Sequence, residues 1–159
     1  MHNMEIKYLK DLRDNSTVVS NTFNLKIEPM PETEIVELEK FWNHGNPFPT
    51  ALRELLLLAG HRCYVVDYGI DETRHELQEF VREEMVDHHK TIARPFFVID
   101  VYNAATQFLF VYLDEDDDPA VHEGYYSHDA AIWITLISQN LSEYINSLIN
   151  WKKSGQNPF

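Results

Sequence analysis

The chain is short of several things, and each shortage excludes a class of protein. It has one cysteine, Cys63, in 159 residues. A lone thiol can form neither an internal disulfide nor a cysteine zinc pair, so the fold must stand on its own core. Five glycines in all leave little for a glycine-rich phosphate cradle, and no GxGxxG, phosphate-loop or GxSxG pattern occurs. The longest apolar runs, residues 55–59 and 96–99, are far too short to span a bilayer. Met1-His2-Asn3-Met4-Glu5 has no basic segment followed by an apolar run, which predicts no signal peptide and a cytoplasmic protein.

Basic residues are scarce as well. Thirteen Lys and Arg stand against 26 Asp and Glu, for a net charge of −13. Phosphate backbones are held by clustered cations, so DNA and RNA are not expected partners. An anionic membrane surface is disfavoured for the same reason. A basic protein partner suits this charge, because opposite fields steer encounter and raise the on-rate. Acidic balance also serves plain solubility.

What is present is core material: 44% apolar and 13% aromatic residues, enough for one domain of this length. Residues 1–30 are mixed. Residues 6–12 read as a short helix or strand, and 22–27 alternate apolar and polar like a half-buried strand. The spacing of Ile35, Leu38, Phe41 and Trp42 predicts a helix over 31–44, opened by Pro31, favoured at its start by Glu32 and Glu34, and stopped by Gly45. Leu52, Leu55, Leu56 and Ala59 predict a second helix over 49–59, between Pro49 and Gly60. Val65 and Val66 centre a strand over 62–68.

A third helix is predicted over 71–90, with Asp71 as N-cap. Its buried stripe is Leu77, Phe80, Val81 and Met85, and its charged outer face is Glu76, Glu79, Arg82, Glu83 and Asp87. Residues 96–102 and 107–113 read as a β-hairpin, and 114–118 as an acidic loop ended by Pro119. Residues 132–137 suggest a short last strand. Leu141, Tyr144, Ile145, Leu148 and Ile149 predict a closing helix, capped by Ser138 or Asn140 and favoured at its end by Lys152 and Lys153. This order predicts a single α+β domain with a mostly antiparallel sheet flanked by helices. Its core spans about 31–150, with 1–30 as an N-terminal extension and 153–159 as a tail.

Few residue groups point to chemistry. Asp114, Glu115, Asp116, Asp117 and Asp118 are carboxylates of the kind that hard cations take, but the run lacks the Gly and terminal Glu of a calcium loop. It reads as a solvated loop or as a docking patch for a basic partner. His88 and His89 are adjacent and share no helix face, so they make a poor chelate. His122, Glu123, His128 and Asp129 offer imidazole and carboxylate ligands without a metal-site spacing. Cys63 has His61 two residues away, yet a buried strand cysteine is the commoner case. Tyr125 and Tyr126 suit an interface anchor if exposed, whereas Trp133 suits the core.

The stretch from Trp42-Asn43-His44-Gly45-Asn46-Pro47-Phe48-Pro49 through Leu55-Leu56-Leu57-Leu58-Ala59-Gly60 resembles the N-terminal signature of the SUKH superfamily, whose members resemble the yeast Smi/Knr cell-wall regulator. Phe108-Leu109-Phe110-Val111-Tyr112 is similar to that family's central strand. Asp118-Pro119-Ala120-Val121 resembles its Asp-Pro-x-Val turn, and 138–149 its closing helix. Tyr144 and Ile145 stand where the family usually has Phe and Leu. The resemblance implies a compact α+β domain, with no catalytic motif and no cofactor to carry over. It implies an immunity protein that binds and neutralises a toxin domain, or a regulatory adaptor.

The expected function is therefore protein binding, with a basic toxin domain as partner. The expected partner-binding residues are Asp114, Glu115, Asp116, Asp117, Asp118, Tyr125, Tyr126, Glu83 and Asp87. Two alternatives stay open: an adaptor of the Smi/Knr type, and a metal-dependent hydrolase using His122, Glu123 and the acidic run.

Overall fold

A computed structural model describes residues 5–20, 23–66, 73–103, 106–126 and 132–154. The architecture is α+β. In chain order come α1 (Lys10–Asp14), β1 (Thr17–Ser20), β2 (Phe23–Lys26), α2 (Glu32–Trp42), α3 (Thr50–Ala59), α4 (Arg74–Asp87), β3 (Phe96–Tyr102), β4 (Gln107–Tyr112), β5 (Val121–Tyr125), β6 (Ile134–Ser138) and α5 (Leu141–Lys153). No described helix is long and apolar enough to cross a membrane.

The main sheet is an antiparallel meander in the order β3-β4-β5-β6, and β1 and β2 form a separate hairpin. The expected hairpin of β3 and β4 is present, with a bulge between Val98 and Asp100. Nearly all of β3 and β4 is buried on both faces. On one face Phe48, at the approach to α3, packs its ring 5.1 Å from that of Phe97. On the other, Phe108 stacks on Tyr126 at 5.4 Å and Phe110 on His122 at 5.6 Å. A strand over 121–125 was not expected from the sequence. Gly124 belongs in it because Phe108 of the neighbouring strand lies over it: a Cβ there would sit 2.4 Å from the Phe108 ring.

The strand expected over 62–68 does not form among the described residues. There only Arg62 makes an isolated bridge, to Glu28, and Cys63, Tyr64, Val65 and Val66 fill the core from irregular backbone. The third helix starts later than expected. Thr73 caps it, its Oγ1 accepting from the Glu76 N–H at 3.1 Å, while Asp71 lies outside the described residues. The N-terminal segment is built into the core rather than appended to it. Ile6, Leu9, Leu12 and Val18 join the same buried cluster as the helices and sheet. Buried Glu54 of α3 accepts from the N–H groups of Lys7, Tyr8 and Leu9 at 2.9–3.0 Å. α5 packs against α1, β1, α3 and β6.

The outer edge of β3 is closed by side chains of α4. Buried Gln78 donates to the Val98 carbonyl at 2.8 Å and accepts from the Val98 N–H at 2.7 Å, as a neighbouring strand would. One turn to either side, Arg74 donates to the Ile99 carbonyl at 3.2 Å and Arg82 to the Phe96 carbonyl at 2.8 Å. Arg82 is thus not part of the solvated face. Its guanidinium lies 4.2 Å from the Trp42 ring centroid and 4.0 Å from that of Phe96, and burial lowers its pKa to about 10. It therefore stays charged at neutral pH.

Removing the Gln78 amide leaves a buried N–H and carbonyl unpaired, each costing about 1–3 kcal/mol. We expect Gln78→Leu to lower unfolding free energy in urea by about 2–4 kcal/mol, whereas exposed Glu83→Ala stays within about 0.5 kcal/mol.

Candidate protein interface

The acidic run is in large part built into the fold. Arg94 grips Asp114 with Nη2 at 2.6 Å and Nε at 3.1 Å, and reaches Glu115 at 3.4 Å. Its guanidinium also lies 3.8 Å from the Tyr112 ring centroid. The hydrogen bond from Arg94 holds the Asp114 carboxyl below the usual carboxylate range. The Glu115 carboxylate also accepts from the Ala120 N–H at 3.2 Å. The Asp117 carbonyl accepts the Ala51 N–H in the first turn of α3, at 2.8 Å.

Asp118 caps α5 from a distance. Its carboxylate accepts from the Ser142 N–H at 3.0 Å and from the Ser142 hydroxyl. Asn140 occupies the cap position but makes no side-chain cap bond. Asp114, Asp116 and Asp117 are exposed, Asp114 in its pair with Arg94. Asp116 accepts from the Asp118 N–H at 3.2 Å. Among the described residues no cation pairs with Asp116 or Asp117.

The other expected contact residues lie apart. Glu83 and Asp87 are exposed one turn from each other on α4. Tyr125 is half-buried at the end of β5, opposite Gln107. Tyr126 is not a surface anchor: it is 2% exposed, held between Phe108 and His88, whose ring stacks on it at 5.3 Å. Burial pushes its hydroxyl pKa up. An apolar ring in the sheet core is worth more there than at a wet surface.

The metal ligands considered from sequence do not converge. His122 and Glu123 are neighbours on β5 and so point to opposite faces. His122 stacks on Phe110, while Glu123 accepts from the Tyr102 hydroxyl and from Gln107 Nε2. Among the described residues no three His, Cys, Asp or Glu side chains form a metal-sized group, and His128 and Asp129 lie outside them. Cys63 is buried, and burial raises its thiol pKa. His61 is turned away from it, paired with Glu34 at 2.8 Å.

Two surfaces were not anticipated. One is β6, the last strand of the sheet, with no charged residue and with Leu136 and Ile137 at 48% and 42% exposure; Ile132 just before it is 79% exposed. Its far end abuts the acidic loop, since Ser138 pairs with Val121 and Asp118 holds Ser142 just beyond. The other is a cleft of about 510 Å³ between α2 and the start of α4, lined by Met30, Glu37, Leu38, Phe41, Arg74 and His75 among others. Phe41 is 63% exposed there, its ring 4.4 Å from that of His75. Adjacent Phe41 and Trp42 cannot both face inward from one helix, and this was the available signal.

No protein-family model, curated protein or solved structure matches this chain. What the geometry defines is a class of surface: an uncharged sheet edge, with an acidic loop at one end in which, among the described residues, Asp116 and Asp117 pair with no cation.

Losing a helix N-cap costs about 1 kcal/mol, up to 2. We expect Asp118→Ala to lose about 1–2 kcal/mol in urea unfolding, and Asp116→Ser and Asp117→Ser to stay within about 0.5 kcal/mol. Burial holds His122 below the ordinary histidine value, with nearby Glu115 acting in the opposite sense. Between that lowered native pKa and the higher unfolded one, the unfolded chain binds more protons, so stability falls as pH drops through this window. Urea midpoints at about pH 7.5 and 5.5 should therefore fall less in His122→Phe than in the wild type.

Proposed function

We propose that this chain is a non-catalytic protein-binding domain of the immunity type, which binds and neutralises a basic toxin domain. The observation that carries this reading is an uncharged, exposed sheet edge whose Ser138 end lies at the same end of the sheet as the acidic loop. Net charge −13 supports it, because opposite fields accelerate encounter and disfavour wrong partners. The resemblance of residues 42–60 and 118–121 to the SUKH pattern supports the immunity role in particular. Within the acidic run, the folded-in roles of Glu115 and Asp118 and the Arg94 pairing of Asp114 leave Asp116 and Asp117 as its uncompensated carboxylates.

Affinity capture of the tagged protein from its native cells, with the neighbouring gene product also supplied, tests this. The expected catch is a basic toxin-like domain. Its binding weakens several-fold in the Asp116→Ser, Asp117→Ser double variant and at about 0.5 M salt, where exposed charges are screened within a few ångströms. Capture of endogenous envelope or housekeeping proteins alone would replace the immunity role with an adaptor role. An empty catch would contradict protein binding.

A further inference from the structure

We infer that β6 is a docking edge: it takes an extended strand of the partner as a fifth strand of the sheet, and that strand carries Lys or Arg on the N-terminal side of alternating apolar residues. This rests on the binding role proposed above and names the element of the partner that is recognised.

The two ends of the sheet are treated differently. The β3 edge is filled by Arg74, Gln78 and Arg82. At the β6 edge, no described strand lies beyond Ile134–Ser138. The direction of its free groups follows from the ladder. The Tyr125 N–H donates to the Trp133 carbonyl at 3.0 Å, and Ile134 and Leu136 pair with Gly124 and His122. Bonded and non-bonded pairs alternate in an antiparallel ladder, so the N–H and C=O of Ile134 and Leu136 point outward. Exposed edges are normally blunted by Lys, Pro, inward charge or a bulge. Ile134-Thr135-Leu136-Ile137-Ser138 carries no Lys, Pro or charge, and its one irregularity is a bulge at Ile137, past the two outward-facing residues.

Charge selects the occupant. Every pair in this sheet is antiparallel, and a guest strand continuing that pattern sets its N-terminal flank beside Ser138. That end of the sheet carries the acidic loop, whose Asp116 and Asp117 are exposed and, among the described residues, without a cation. Main-chain bonds to Ile134 and Leu136 supply affinity, apolar side chains beside Leu136 supply packing, and the basic flank supplies direction. A second copy of this chain would bring another −13 charges and no basic flank.

The test uses the full chain and synthetic peptides. The probe is Lys-Lys-Val-Thr-Val-Thr-Val, compared with the reversed-flank Val-Thr-Val-Thr-Val-Lys-Lys and with the probe N-methylated at alternate residues. Affinities come from fluorescence titration and amide exchange from NMR. Expected are binding of the probe with slowed exchange at Ile134 and Leu136, and a loss of about five- to tenfold for the N-methylated peptide, as for removing about one hydrogen bond. Weaker binding of the reversed peptide, to a degree that vanishes at high salt, is expected too. Leu136→Pro removes an outward N–H without removing a ladder bond to β5, and should weaken the probe to the same degree. If that variant misfolds, the N-methylated peptide alone still decides.

Equal binding of all three peptides, or protection elsewhere, would overturn the inference. So would concentration-dependent protection of Ile134 and Leu136 without peptide, which assigns the edge to a second copy. A captured toxin domain that binds Leu136→Pro as well as wild type would sink the docking edge and leave the binding function standing. Probe binding as expected, with an empty capture, would do the reverse.

Discussion

The sheet depends on how the outer edge of β3 is closed. Phe96 through Val101 are buried, so their outward backbone groups have no recourse to water. An unpaired buried N–H or carbonyl costs about as much as several good contacts return. α4 solves this with a polar stripe, Arg74, Gln78 and Arg82, set beside its apolar stripe of Leu77, Val81 and Met85. Two of the three closing residues are cations, in a chain with few of them. Their guanidinium groups donate to carbonyl acceptors, and that of Arg82 also lies against the faces of Trp42 and Phe96. At the opposite edge no described strand lies beyond β6.

Carboxylates do comparable work elsewhere. Glu54 gathers the backbone N–H groups before α1, Asp118 caps α5, and Glu39 accepts from the Phe48 N–H at 2.7 Å and from Arg53 at 2.8 Å. Each joins elements far apart in sequence, so part of the chain's excess negative charge is spent on positioning α1, α3 and α5. A charge-assisted bond to a backbone N–H is stronger than a neutral one. This offsets locally the self-repulsion that a net charge of −13 imposes on a compact chain.

The long helices were legible because each has a stripe of aliphatic residues at helical spacing, as in Leu52, Leu55, Leu56 and Ala59, all fully buried. The β3–β4 hairpin was legible from two dense runs of Phe and Val around a polar break. β5 was not, because Val121-His122-Glu123-Gly124-Tyr125 has low strand propensity; its conformation is set by pairing on both sides and by Phe108 over Gly124. The Val65-Val66 pair looked like a strand centre, yet those residues are buried from irregular backbone. Charge alone assigned Arg82 to solvent and the whole acidic run to a docking patch. Only tertiary contacts separate Asp114, Glu115 and Asp118, which hold the fold, from Asp116 and Asp117, which face out. The exposed β6 edge left no sequence mark, since apolar strand residues look alike whether buried or bare.

The contrast between the two sheet edges is what the binding role turns on, and it can be measured on the free protein. Native-state amide hydrogen exchange by NMR, in dilute solution, reads each edge residue by residue. Val98 should exchange only through global unfolding, while Ile134 and Leu136 exchange orders of magnitude faster than their β5-bonded neighbour Thr135. Protection of Ile134 and Leu136 equal to that of Val98 would show the edge already covered, and would contradict a docking edge on β6.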